Sequence, residues 1–134
     1  LLNNRRIRVS RCRSLDSALL ATGFPVRDER LIDPYLVSFG KFLHRVDGVR
    51  RAGAAALDLA WVAAGRLDGY WEYGLKPWDI AAGALMVQEA GGMVSAPLPG
   101  QDMMRTGDIV AATPKVFPGI IDILREYPVR LAGE

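Results

Sequence analysis

Cysteine and histidine are almost absent, with Cys12 and His44 standing alone among 134 residues. One cysteine excludes an internal disulfide and a thiolate metal cluster, and it points to a reducing, cytosolic compartment. One histidine excludes the grouped imidazoles that zinc chemistry needs. In Lys41-Phe42-Leu43-His44-Arg45, it reads as a surface or structurally satisfied side chain on a helix. Net charge is equally scarce. Seventeen basic against 15 acidic side chains leave +2, which argues against a dedicated nucleic-acid binder. No apolar run approaches membrane-spanning length and no signal-peptide pattern opens the chain, so no membrane partner is expected. Internal repeats, low-complexity stretches and long linkers are missing too. What remains is one domain's worth of residues, half of them hydrophobic, enough to bury a single core without staples.

The basic residues are unevenly spread. Arg5, Arg6, Arg8, Arg11 and Arg13 crowd the start of the chain. A phosphate-binding arm is one reading of that cluster. The other is a solvated strand edge on which cations discourage pairing. The second is preferred, because no aromatic residues interleave with the arginines as a stacking surface would require.

Along the chain, residues 7–10 read as the end of a short strand after a turn at Asn3-Asn4, and residues 18–23 as a small buried strand closed by Gly23 and Pro25. Apolar residues recur at helical spacing from 28 to 45, with Asp33 as the expected cap and Pro34 in the first well-formed turn. Asp47-Gly48 is a turn and residues 49–51 a brief strand. Residues 52–64 give the clearest helix, its stripe of Ala55, Ala56, Leu59, Val62 and Ala63 implying close packing on a neighbour, with Gly65 as the stop. Aromatic residues favour a strand over 67–75. Pro77 primes a helix over 78–90, ended by Gly91-Gly92. Strands at 93–96 and 108–112 flank a loop at 97–107, and a last helix over 115–125 precedes a loose tail. The alternation of strands and helices predicts an α/β class, a layered mixed sheet flanked by helices.

The chemistry concentrates in residues 65–83. Glu72 falls near the end of a strand, and Asp79 in the first turn of the next helix, where exposed amides stabilise an anion. Strand ends and helix starts are where layered α/β folds place ligand groups, and carboxylate is the hard oxygen donor that Mg²⁺ prefers. Spacing alone equally allows a plain capping role for Asp79 and a surface position for Glu72, since capping aspartates are common.

Trp78-Asp79-Ile80-Ala81-Ala82-Gly83 followed by Glu89-Ala90-Gly91-Gly92 resembles the carboxyl-terminal signature of the inositol monophosphatase family. The stretches 53–60, 62–69, 21–25 and 107–112 match the same family in order, over nearly the whole chain. The resemblance implies the carboxyl-terminal half of that fold across residues 1–134. It implies that Asp79 is a ligand to Mg²⁺ and that Glu72 hydrogen-bonds a substrate hydroxyl. The Gly53-Ala54-Ala55 turn would approach substrate with its backbone, Ala54 standing where relatives often carry serine or threonine. Trp71, Tyr73 and Trp78 are expected to pack. No residue is assigned as a catalytic nucleophile or proton donor.

The family's remaining metal ligands come from an amino-terminal half that has no counterpart in the sequence; Asp33-Pro34 is followed by Tyr35-Leu36 rather than by a second aspartate. One carboxylate holds Mg²⁺ weakly in water. The expectation is a phosphatase of inositol monophosphate or a related small phosphorylated polyol, dimeric and cytoplasmic, whose isolated carboxyl-terminal half is inactive and self-associates through uncovered apolar surface. A histidinol phosphate phosphatase is the alternative substrate reading. A fragment contacting RNA or the transcription machinery through its arginines is the alternative class.

Overall fold

The sheet is built from five short strands in the order β2-β1-β3-β5-β4: β1 (Leu19–Thr22), β2 (Gly48–Arg50), β3 (Gly69–Glu72), β4 (Met93–Ser95) and β5 (Ile109–Ala112). The computed structural model describes residues 6–130. β1 pairs in parallel with β2 and β3, whereas β5 runs antiparallel to both β3 and β4, with Tyr70 opposite Ala111 and Glu72 opposite Ile109. Helices α1 (Glu29–Leu43) and α5 (Phe117–Glu126) cover one face, and α2 (Ala55–Ala63) and α3 (Pro77–Glu89) the other. The layered α/β expectation is met.

Strand alternation divides the core. On β3, Trp71 and the following Tyr73 join Phe42, Tyr35, Ile120 and Leu124. Tyr70 joins Leu59, Val62, Ile80 and Val87 on the opposite face. The tight α2–α3 packing implied by the small residues is present, since a Cβ on Gly83 would overlap Leu59. The buried stripe of α2 differs from the expected one: Ala56 is exposed and Asp58 is buried in its place.

Helix α1 starts four residues before the expected cap. Asp28 caps it, Oδ1 accepting from the Arg30 amide at 3.1 Å, and Pro34 lies inside. An interior proline costs about 3 kcal/mol. Burying Leu31 in the added turn returns about 1.5–3 kcal/mol, which with the cap offsets that cost. The expected strand at 7–10 is instead an extended segment tied by single bonds, Val9 N–H to the Ala90 carbonyl at 3.1 Å and Ser10 Oγ to Asp68 Oδ1 at 2.6 Å. The 97–107 loop contains a short helix, α4 (Met103–Thr106), capped by Asp102 and stopped by Gly107. β3 is shorter than its aromatic run because the chain leaves the sheet at Tyr73. The tail is not loose up to residue 130: Val129 is buried and Arg130 is ion-paired. The expected turn at Asn3-Asn4, and Arg5, lie outside the described residues.

Candidate active site

β3, the start of α2 and the start of α3 converge on one cleft of about 600 Å³. Glu72, Asp79, Gly53, Ala54 and Ala55 all line it, so the structure brings together every residue that the sequence singled out. Glu72 is the last residue of β3 and half-buried. The Tyr70 hydroxyl, two residues earlier on the same strand face, donates to Glu72 Oε1 at 2.5 Å. That bond fixes one carboxylate oxygen and leaves Oε2 without a hydrogen bond to the described residues. Burial raises the Glu72 carboxyl above its ordinary value, against the pull of the Tyr70 bond and the Arg51 charge. Gly23 makes the position possible, because a Cβ there would overlap the Glu72 carboxylate. The requirement at Gly23 is space.

Asp79 stands in the first turn of α3. Its Oδ2 accepts from the Lys76 amide at 3.0 Å, and its own amide donates to the Lys76 carbonyl at 2.9 Å. The capping role that spacing allowed is therefore real, and it occupies one oxygen. Oδ1 is outside that bond, and Asp79 lines the cleft. At the start of α2, Ala54 sits in the cap position with no side-chain bond to the first-turn amides, and Gly53 turns the chain with φ 82°. A serine or threonine at residue 54 would cap these amides.

The loop between the two carboxylates is clamped by Asp108 and Gly107. Asp108 accepts from the Gly74 amide through Oδ1 at 3.0 Å and from Arg130 Nε through Oδ2 at 2.6 Å. The neighbouring Gly107 carbonyl accepts from the Leu75 amide at 2.9 Å. Sequence reasoning used Gly107 and Asp108 only as part of a motif. Their adjacency just before a strand was the available signal.

A family model described as the inositol monophosphatase family matches residues 1–128. The chain belongs to that family. It is 55% identical over 128 residues to a protein named putative Nus factor SuhB from Neisseria meningitidis, covering 95% of this chain and 49% of that relative. Among solved structures it is similar to the extragenic suppressor protein suhB of Bartonella henselae, with a TM-score of 0.86, 44% identity and coverage of 92% of this chain and 48% of that one. It is also similar to an inositol monophosphatase from Anabaena (Nostoc), with a TM-score of 0.83, 41% identity and coverage of 94% and 50%. The chain thus spans about half the length of the relatives it matches.

The inositol monophosphatase resemblance implies Mg²⁺, yet the donor set here does not by itself fit that ion. Mg²⁺ demands near-octahedral oxygen ligation. Asp79 has one oxygen committed to its cap, and among the described residues no group of three His, Cys, Asp or Glu side chains is placed to hold a metal. The packing expectations divide likewise: Trp71 and Tyr73 are buried, but Trp78 is 77% exposed. The reason is that Ile80, Gly83, Ala84 and Val87 already form the buried face of α3, which leaves Trp78 outward with Leu85 and Met86.

Asp58 was not anticipated. It is 1% exposed, and neither carboxylate oxygen has a hydrogen-bond partner among the described residues. Burial, and then the Glu72 charge, push its carboxyl up from 3.8 to about 6. The folded chain therefore holds this proton more tightly than the unfolded one, and stability falls as pH rises from about 4 through about 6. Asp58→Asn is expected to cost about 1 kcal/mol at pH 4, for the unsatisfied amide, and to stabilise the chain by about 2 kcal/mol at pH 7.5, where relief of the buried charge outweighs that cost. Urea unfolding at both pH values tests this; equal effects at the two would remove the buried charge as the cause.

Proposed function

We propose that this chain supplies the substrate-hydroxyl side of a Mg²⁺-dependent phosphomonoesterase site, in a protein whose other half completes the metal ligation. Inositol monophosphate is the preferred substrate in this reading. The carrying observation is the Glu72 carboxylate, held by Tyr70, accommodated by Gly23, and sharing one cleft with Asp79 and the 53–55 turn. Glu72 Oε2 accepts a hydrogen bond from a polyol hydroxyl and orients the ring. The backbone at 53–55 lets the substrate approach closely because no long side chain stands there. Asp79 Oδ1 contributes one oxygen toward the cation, and groups beyond the described residues contribute the others. A homodimer in the cytoplasm is part of the same proposal; no described helix is long and apolar enough to cross a membrane.

Phosphate release from inositol monophosphate is the test, run on the chain alone and on the chain joined to the amino-terminal half of a SuhB relative. The joined protein is expected to release phosphate only with Mg²⁺, and the chain alone not at all. Glu72→Gln is expected to raise KM about tenfold with little change in kcat, the loss of one charge-assisted hydrogen bond. Turnover by the chain alone would defeat the division of labour. A joined, folded protein without turnover would remove the phosphatase reading.

A second reading is contact with RNA, motivated by the name Nus factor carried by relatives. Arg6, Arg8, Arg11 and Arg13 are all exposed, while Ile7 and Val9 between them turn inward onto the core. RNA binding that weakens with salt and survives Asp79→Ala would support it.

A further inference from the structure

The cleft has a basic wall in which Arg130 is committed to Asp108 and Arg51 lies over an aromatic ring. Arg51 follows β2 and immediately precedes the 53–55 turn. Its guanidinium carbon lies 5.1 Å from the centre of the Phe24 ring. A Cβ built on Gly53 would lie 3.6 Å from its Nη1. Phe24 is itself braced edge-on against Tyr35 and Phe39, with ring centres 6.0 Å apart in both cases. Phe24, Arg51, Gly53 and Glu72 all line the same cleft. None of the salt bridges among the described residues involves Arg51. A guanidinium held over a ring by cation–π attraction spends none of its N–H donors on that contact. Such a group loses little freedom on binding, because the ring has already restricted it.

We propose that Arg51 determines substrate class: it donates to the hydroxyl oxygen adjacent to the one that Glu72 engages, so the pair selects vicinal hydroxyls and rejects an ammonium group. This rests on the reading of the cleft as a phosphomonoesterase site and extends it. A vicinal diol donates a hydrogen bond to the carboxylate and presents lone pairs to the guanidinium, matching both at once. A phosphorylated amino alcohol instead places a second cation beside Arg51, and like charges in a cleft repel. A second anionic group at that end of the ligand is disfavoured by Glu72 and Asp79, so neutral hydroxyls fit the mixed pair best.

The test is equilibrium binding to the chain, followed by heteronuclear NMR, with inositol 1-phosphate, histidinol phosphate and inorganic phosphate as probes. The wild-type chain is expected to prefer inositol 1-phosphate over histidinol phosphate. Arg51→Ala is expected to reduce that preference about tenfold, leaving inorganic phosphate affinity unchanged. Arg51→Lys, which keeps charge and loses the planar fork, is expected to restore rejection of the amino alcohol but not the full affinity for the polyol. Phe24→Leu is expected to act in the same direction as Arg51→Ala, more weakly. An unchanged preference in Arg51→Ala overturns the inference, as does binding of neither organic phosphate by the wild-type chain. The two readings fail separately. A joined protein that hydrolyses inositol monophosphate with selectivity indifferent to Arg51 overturns this inference alone. An Arg51-dependent binding preference without turnover supports it while removing the phosphatase.

Discussion

Asp108→Ala is expected to lower the stability of the chain by about 3–5 kcal/mol, the usual cost of removing one partner from a buried ion pair. Asp108 is 1% exposed and its two oxygens serve different parts of the chain, Gly74 in a loop that lines the cleft and Arg130 near the carboxyl end. Deleting the carboxylate strands a mostly buried guanidinium and leaves a backbone N–H without its acceptor. Arg130→Ala in the same background removes the stranded charge, so the double variant should be less destabilised than the sum of the singles. Urea unfolding of the four proteins measures both quantities. A single-variant loss below about 1 kcal/mol would show that the pair is replaceable by water.

Gly107→Ala is expected to cost about 3–4 kcal/mol, from two sources. Gly107 has φ 76° at the end of α4, and alanine in that conformation costs about 1–2 kcal/mol. An added Cβ would also overlap the backbone of Leu75, and relieving such overlap typically costs a further 1–3 kcal/mol, roughly. Gly100→Ala is the internal control. Its φ is 75°, but nothing lies within 4 Å of an added Cβ. It should therefore show the conformational cost alone, about 1 kcal/mol. Equal losses at the two glycines would mean that the Leu75 contact yields freely. The predicted gap requires the 74–76 loop to be pinned in place.

Glu72 at a strand end, Asp79 in a first helical turn and the small residues at 53–55 could be placed from the sequence, and the structure puts all of them on one cleft; spacing favoured a plain cap for Asp79, and their site roles came from the family resemblance. The order of matching motifs added the family. Less was legible where distant segments meet. Asp108 and Gly74 are 34 residues apart, and no periodicity announces that pairing. Arg51 looked like the end of a strand, since only the fold lays it across Phe24. Asp58 departs from the helical pattern it lies in, an acid inside an apolar stripe, and that irregularity was available as a signal. Trp78 was misplaced for a simpler reason: a large aromatic beside a first-turn aspartate invites a packing role, but α3 is apolar nearly all round and the spacing does not say which face is covered. Pro34 shifted the expected start of α1 because a local penalty was weighed without the burial of Leu31 that offsets it.

Neighbouring residues of β3 look into different interiors: Tyr70, which steadies Glu72, belongs to the layer beneath α2 and α3, while Trp71 belongs to the layer beneath α1 and α5. The Glu72 carboxylate therefore sits one residue from one of two separately filled compartments, through Trp71, and two residues from the other, through Tyr70. Repacking in either half of the molecule, far from any ligand, has a direct lever on where that oxygen points.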